Sequence, residues 1–450
     1  MTGLRPVREW GFSTRQIHAG AVPDPASGAL ATPIAQTTAY QFPSAREAAD
    51  RFAGQSLGFT YSRINNPTQE ALEARLADLD GARAATALGS GQAAVAYALM
   101  TLAEAGDHVV ASPALYGGTL RLLRESLPRR GVKVSFVGQI NDPDEWEKLT
   151  RSNTKAYFAE AIANPSGQIL DIEAVAAAAH RQGLPLVVDS TLATPYVTRP
   201  IEWGADVVVH SVSKFLAGHG TVIAGAVLDA GRFDFTAAAA RFPAFNQEAP
   251  GYPGLVLARD FGAGGRLSGE LGNIAFNVKL RLDQLHDFGA AIAPLNAFLA
   301  LQGVETLSLR MERHLANAKA VAAFLDDHSA ALAVRHSSLP SSPFKELAAK
   351  YAPAGPGAVM TFDLAGGRAA AERFIAHLKL FHHVANIGDV RSLAIHPAST
   401  THGQMSPAEQ AAAGVGPGMI RLSVGLEDAA DILADLDQAL AAASGAPAGE

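Results

Sequence analysis

Between residues 85 and 230 short apolar runs alternate with segments of helical period, and few folds accommodate that alternation. The runs at 108–112, 155–160, 184–189 and 205–210 read as strands, bounded by polar or glycine-containing turns. The pieces between them, 91–104 and 171–182 among others, read as helices. Strand–helix–strand connections of this kind are right-handed crossovers, which predicts a mainly parallel sheet with helices on its faces, an α/β fold. In open sheets of that class ligands bind outside the carboxyl ends of the strands. The loops after each run are therefore where chemistry is expected.

Two of those loops carry a matched pair. The run 184–189 ends in the carboxylate of Asp189, and the run 205–210 delivers Ser211, Ser213 and Lys214 into a glycine-punctuated loop. An acid and a lysine so arranged suit pyridoxal phosphate: the lysine holds the aldehyde as a Schiff base, and the carboxylate keeps the pyridine nitrogen protonated so that the ring accepts electrons. A hydrogen bond between charged groups contributes about 1.5–3 kcal/mol, enough to decide the ring's protonation state at neutral pH. Ser211 and Ser213 would then serve the phosphate. On these two residues alone, a surface lysine and a strand-end cap remain the better reading. Further candidates lie on neighbouring loops. Ser90, Gly91 and Gln92 open the helix 91–104, where free N–H groups attract anions, although such a turn is usually a plain helix start. Tyr116, in a Pro/Gly turn, can stack on a flat ligand or merely pack, and Asn164 follows the run 155–160.

At 450 residues, 48% hydrophobic and 18% charged, the chain can build a large core and a second domain. A net charge of -7 without long blocks argues against a nucleic-acid surface or a polybasic membrane anchor, so small-molecule partners are expected. The absence of cysteine excludes disulfides, thiolate catalysis and cysteine metal sites. No metal site is expected either, because His382, His383, His396 and His402 have no matching acid cluster. Residues 1–10 lack the apolar core of a signal peptide and no later run could span a bilayer, so the expected location is cytoplasmic. Three parts are expected: a Pro/Gly/Ser/Thr-rich arm over 1–65, a large domain over 66–300 that begins with a helix at 69–79, and a smaller α/β domain over 301–450. A helix or helix pair at 295–314 leads into strands at 357–363, 392–396 and 419–425 and a closing helix at 427–442. The stretch 231–275 gives no clear signal, and the small residues of 443–450 read as a frayed end.

Several stretches together resemble one family. They are 15–20, 32–38, Tyr61 with Arg63, 116–119, Asp189 with 194–196, 211–220, 305–311, 392–401 and 421–425. Over nearly its whole length the chain resembles the Cys/Met-metabolism group of fold-type-I pyridoxal-phosphate enzymes. The resemblance implies that fold, with a mainly parallel large domain, a smaller C-terminal domain and an extended N-terminal arm. It implies that Lys214 carries the cofactor and moves protons, that Asp189 binds the pyridine nitrogen, and that Tyr116 stacks on the ring and aids proton transfer. Gly91, Gln92, Ser211 and Ser213 match phosphate contacts, with Ser90 beside them at the helix start. Tyr61 and Arg63 match residues supplied to the neighbouring subunit's site, which implies a homo-oligomer, an obligate dimer and usually a dimer of dimers. Arg421 matches the residue that grips the substrate carboxylate, with Asn164 and Ser392 nearby; the planar fork of arginine suits a carboxylate.

Within the group the chain is most similar to the sulfhydrylases acting on O-acetylhomoserine. This implies γ-replacement of acetate by sulfide or a thiol, giving homocysteine or methionine. O-Succinylhomoserine sulfhydrylase, cystathionine γ-synthase and methionine γ-lyase activities share the scaffold. Gly118 stands where methionine γ-lyases carry cysteine, and residues 218–221 have the sulfhydrylase form. Ser190, Pro253 and Leu295 depart from the common pattern, and Pro253 bears on acyl-group or nucleophile preference.

Overall fold

The computed structural model describes residues 9–445 apart from 54, 55, 57, 270, 271, 405 and 413. Of the stretches 1–10 and 443–450, on which the expectations about a signal peptide and a frayed end rest, residues 1–8 and 446–450 fall outside the described residues.

A seven-stranded sheet organises the first half of the chain. Its strands are β1 (Ala84–Leu88), β2 (His108–Ala111), β3 (Lys133–Phe136), β4 (Thr154–Glu160), β5 (Leu186–Asp189), β6 (Val207–His210) and β7 (Gly225–Asp229), in the order β1-β7-β6-β5-β4-β2-β3. The pairings from β3 across to β6 are parallel, as the alternation predicts. β7 is the exception: it runs antiparallel to both β6 and β1. The loop that joins β6 to β7 contains no helix to carry the chain back over the sheet, so β7 returns beside its predecessor in the opposite direction.

β2, β4, β6 and β7 are buried along their whole length, which is why they read as continuous apolar runs rather than alternations. Alternate residues still serve opposite faces. Tyr157, Ala159, Leu186, Val188 and Val208 join one cluster; Ala156, Phe158, Val187, Val207 and Val209 join the other. The helix Gly91–Leu102 packs on β6 and β7, and the helix Pro67–Asp80 packs on β1 and β7. The latter starts where Asn66 caps Thr68 N ahead of Pro67, and ends at Gly81 with φ of 77°.

The second sheet has five strands, β8 (Ala331–Arg335), β9 (Val359–Leu364), β10 (His382–His383), β11 (Leu393–Ile395) and β12 (Met419–Ser423), in the order β10-β11-β12-β9-β8. The three central strands are those the sequence predicts. The two edges escape that reading: β10 is two exposed histidines, and β8, Ala-Leu-Ala-Val-Arg, is a short apolar run of which no residue is fully buried. The 295–314 stretch is a helix pair, Pro294–Val304 and Leu307–Asp327, with the second helix running well past the expected end. It packs on β8 and β9 and against the closing helix Ala429–Ala443.

Two stretches hold more structure than their sequences suggest. Within 231–275, short helices at Pro243–Asn246 and Leu257–Phe261 are fixed by a Phe235–Phe245 stack 3.8 Å apart and by buried Asp260 between Arg259 and Arg266. The arm contains helices Phe12–His18 and Ala45–Phe52. Fully buried Arg75 ties it down by donating to Gln16 O at 2.6 Å and to Ala19 O, and Arg15 pairs with Asp78 at 2.8 Å. Among the described residues no helix is long and apolar enough to cross a membrane.

Candidate active site

The site forms at the carboxyl ends of β4, β5 and β6. Register sets Glu160 opposite Asp189 and Asp189 opposite Val209, so two strand-end carboxylates stand side by side just before the chain turns into the Lys214 loop. Thr191 joins these turns: its N–H donates to Asp189 Oδ1 at 2.9 Å, and its hydroxyl accepts from Ser211 N at 2.8 Å. Burial raises the Asp189 pKa, while the Thr191 hydrogen bonds and buried His210 pull it back. His210 is itself paired with Asp80 at 3.0 Å in the interior.

Lys214 Nζ donates to Asn386 Oδ1 at 2.5 Å. Asn386 O in turn accepts from Arg421 Nη2 at 3.2 Å, and Arg421 Nη1 donates to Asn164 Oδ1 at 3.2 Å. A continuous network therefore runs from the lysine through the second sheet and back to the loop after β4. Burial, then the Arg421 charge, lowers the Lys214 pKa; burial brings Arg421 down to about 10 against the pull of Tyr116. The loop after Lys214 is fixed by Arg310, whose guanidinium donates to Phe215 O at 2.6 Å, Leu216 O at 2.9 Å and Gly303 O at 2.6 Å.

The Tyr116 ring is half exposed, and its backbone N–H donates to Glu160 Oε1 at 2.6 Å. The ring lies over Gly118, where a Cβ would stand 2.5 Å from Tyr116 Cε1. At the start of the helix Gly91–Leu102, Ser90 Oγ accepts Ala93 N at 3.1 Å, leaving the N–H groups of Gly91 and Gln92 with no helical acceptor ahead of them. Gly91 sits so close to Ser211 that a Cβ there would lie 2.4 Å from the serine Cβ.

Some expected members lie elsewhere. Ser213 Oγ donates to Ala224 O at 3.1 Å and accepts Ala224 N at 2.9 Å, so its proton is already committed, whereas Ser211 Oγ makes no hydrogen bond among the described residues. Ser392 is fully buried; it donates to Glu427 Oε2 at 2.9 Å and accepts Gly425 N at 2.8 Å, and the same loop offers Asn386 to Arg421 instead. Tyr61 and Arg63 meet each other, with the guanidinium 5.7 Å from the ring, and Arg63 donates to His286 O. His286 lines a cavity of about 590 Å³, with Glu248, Tyr252 and Asp283, that shares no residue with the Lys214 network. Asn386, Glu160, Thr191 and Arg310 were not singled out by sequence. Glu160 carries the same signal as Asp189, an acid closing an apolar strand. Asn386 has only the turn around Gly388, whose φ of 70° and tight approach to Phe215 N mark it as constrained.

A model of the Cys/Met metabolism PLP-dependent enzymes matches residues 13–441. The chain belongs to that family. Among similar members, O-acetyl-L-homoserine sulfhydrylase 1 of Thermus thermophilus is 47% identical over 96% of this chain and 100% of its own length. The O-acetyl-L-homoserine sulfhydrylase of Corynebacterium glutamicum is 46% identical over 96% of this chain and 98% of its own length. A solved structure of a putative O-acetylhomoserine (thiol)-lyase from Campylobacter jejuni, which carries a pyridoxyl-lysine monophosphate, superposes with a TM-score of 0.90 at 38% identity, covering 96% of this chain and 100% of that one.

The residues present in this family member fit pyridoxal phosphate. Two free N–H groups and the open Ser211 hydroxyl converge where glycine alone allows the two loops to meet. A carboxylate, an open phenol face and a buried amine complete a donor set of the right chemistry.

Proposed function

We propose that this chain catalyses γ-replacement on O-acetylhomoserine, in which sulfide or a thiol takes the place of acetate to give homocysteine or methionine. The Lys214–Asn386–Arg421–Asn164 network carries this reading, because it joins a group able to move protons to a group able to fix an amino acid's carboxylate. The sulfhydrylase names of relatives 46–47% identical over nearly the whole chain support the choice of substrate.

Pyridoxal phosphate supplies, when bound, an electron sink joined to the substrate's Cα. Lys214 would carry it, Asp189 would face its ring nitrogen, Tyr116 would cover one ring face, and Ser90, Gly91, Gln92 and Ser211 would hold the phosphate. Ser213 can join them only by releasing Ala224 O. Arg421 and Asn164 orient the substrate by its α-carboxylate. Lys214 Nζ takes the Cα proton and later returns a proton as the new C–S bond is completed; its lowered pKa makes the neutral amine accessible for this. The Tyr116 hydroxyl would assist; its pull on the Arg421 pKa supports a position on the same side of the site.

We assign Tyr61 and Arg63 to the site of a second copy, consistent with their separation from this chain's Lys214 network and the exposure of Tyr61, at 44%. The functional unit is then at least a dimer, in which an arm over 1–65 serves a neighbour while parts spanning 66–300 and 301–450 build the site between their sheets. A cytoplasmic location fits a cysteine-free metabolic enzyme.

The test is the visible spectrum of the purified protein with added cofactor, before and after O-acetylhomoserine, followed by sulfide and a homocysteine assay. A yellow band that shifts with substrate, then homocysteine, is expected, and Lys214→Ala should lose both while keeping the far-UV spectrum of a folded chain. Formation of only ammonia and a keto acid would show a lyase, and faster turnover with cysteine than with sulfide a cystathionine synthase.

A further inference from the structure

Glu160 is a buried carboxylate that the reaction outlined above does not use, and its surroundings are unusual. It closes β4 directly opposite Asp189 in the parallel register, 5% exposed. Its two oxygens are divided between two loops of the site. Oε1 accepts from Tyr116 N at 2.6 Å and Oε2 accepts from Asn164 N at 2.9 Å. A buried acid beside a second buried acid is costly; burial first, and then the Asp189 charge, drives the Glu160 pKa well above the usual carboxylate range. Among the described residues it hydrogen-bonds only these two backbone donors, and a main-chain turn could be held more cheaply by a neutral side chain.

We propose that Glu160 is a positioning residue for the reaction, one side chain that sets the Tyr116 ring and the Asn164–Arg421 carboxylate clamp in a fixed relation to each other. Among the described residues no other side-chain hydrogen bond ties one of these loops to the other. Asn164 passes the constraint to Arg421 at 3.2 Å, and Arg421 passes it through Asn386 to Lys214. An error at Glu160 therefore reaches both the flat face on which the reacting group lies and the anchor that orients its substrate. The inference rests on the proposed reaction and extends it to a residue outside the contacting set.

Two variants test it in the holoenzyme. Glu160→Gln keeps the volume but turns one acceptor into a donor, so that either Tyr116 N or Asn164 N faces an N–H group. Glu160→Asp keeps both oxygens and the charge beside Asp189 but is a methylene too short to reach both loops. In both, the KM for O-acetylhomoserine should rise about tenfold or more while kcat falls less, and the visible circular dichroism of the bound cofactor should change in size or sign. Affinity for glycine, read by spectral titration, should fall in parallel; it needs no turnover, so it tests Glu160 even if the substrate assignment fails. A melting temperature lowered with KM, glycine affinity and dichroism unchanged would overturn the proposal in favour of a structural role. Glu160→Asp matching the wild type while Glu160→Gln does not would overturn it in favour of charge.

Discussion

Glycine at 118 decides where the Tyr116 ring can lie. A Cβ at that position would meet the edge of the ring, a movable group, rather than backbone, so the ring would turn away at little cost to the fold. Gly118→Ala should therefore leave the melting temperature within a few degrees of the wild type while kcat/KM drops about tenfold or more; an unchanged kcat/KM would show that the ring's placement does not matter. The same residue scale separates what could be read in advance from what could not. Asp189 and Lys214 stand out as candidates because each follows a buried apolar run, although their position alone favours a strand-end cap and a surface lysine. What the sequence does not show at Ser213 and Ser392 is the partner each hydroxyl takes, Ala224 O for one and Glu427 for the other. Arg310 was unreadable for the same reason: it caps carbonyls almost a hundred residues away, and nothing local in its helix announces that.

Among the elements, the start of β7 is packed closely against the site. A Cβ on Gly225 would lie 2.1 Å from Ser90 O and 2.8 Å from Gly91 N, both backbone atoms of the turn that opens the phosphate-facing helix. Neither can rotate away. Gly225→Ala should thus cost about 1–3 kcal/mol or more and weaken cofactor binding together with stability, measured by denaturant unfolding and by cofactor titration; a variant that unfolds like the wild type would mean the two strands separate freely. Strands buried on both faces were legible as apolar runs, and the mainly parallel sheet followed from their alternation with helices. β7's reversed direction was not, because direction depends on how the chain returns rather than on what the strand contains. Edge strand β10 hid for lack of an apolar run, and β8 because a short apolar stretch directly after a long helix reads as part of its end. The 231–275 stretch hid because its order comes from ring stacking and ion pairs, which have no period.

For the molecule as a whole, buried histidines set a lower limit on pH. Burial pushes His108 and His314 down to about 4, the first with help from Arg151 and Lys133 and the second against a bond to Val424 O. The unfolded chain binds protons at both from about pH 6.5 downward while the folded chain refuses them until about 4, so stability falls as pH drops through that window, by about 2 kcal/mol per histidine at pH 5. Asp229, raised to about 7 by burial, acts in the opposite sense. The comparison is therefore between proteins: His108→Gln should lose less of its melting temperature than the wild type between pH 7 and pH 5, and equal losses would exclude His108 as a contributor. The strand order has a consequence for how such a molecule is made. β1 emerges from the ribosome early, yet its only neighbour in the sheet is β7, the last of the seven to be synthesised. Until Asp229 has left the exit tunnel, β1 has no strand to pair with and the turn at Ser90 lacks its backing from Gly225, and Asn386 and Arg421 arrive only near the end of translation. A nascent chain halted between β7 and β10 would hold the groups proposed for the cofactor, and Asn164, but neither Asn386 nor Arg421, so cofactor capture can precede completion of the polypeptide, whereas catalytic competence cannot.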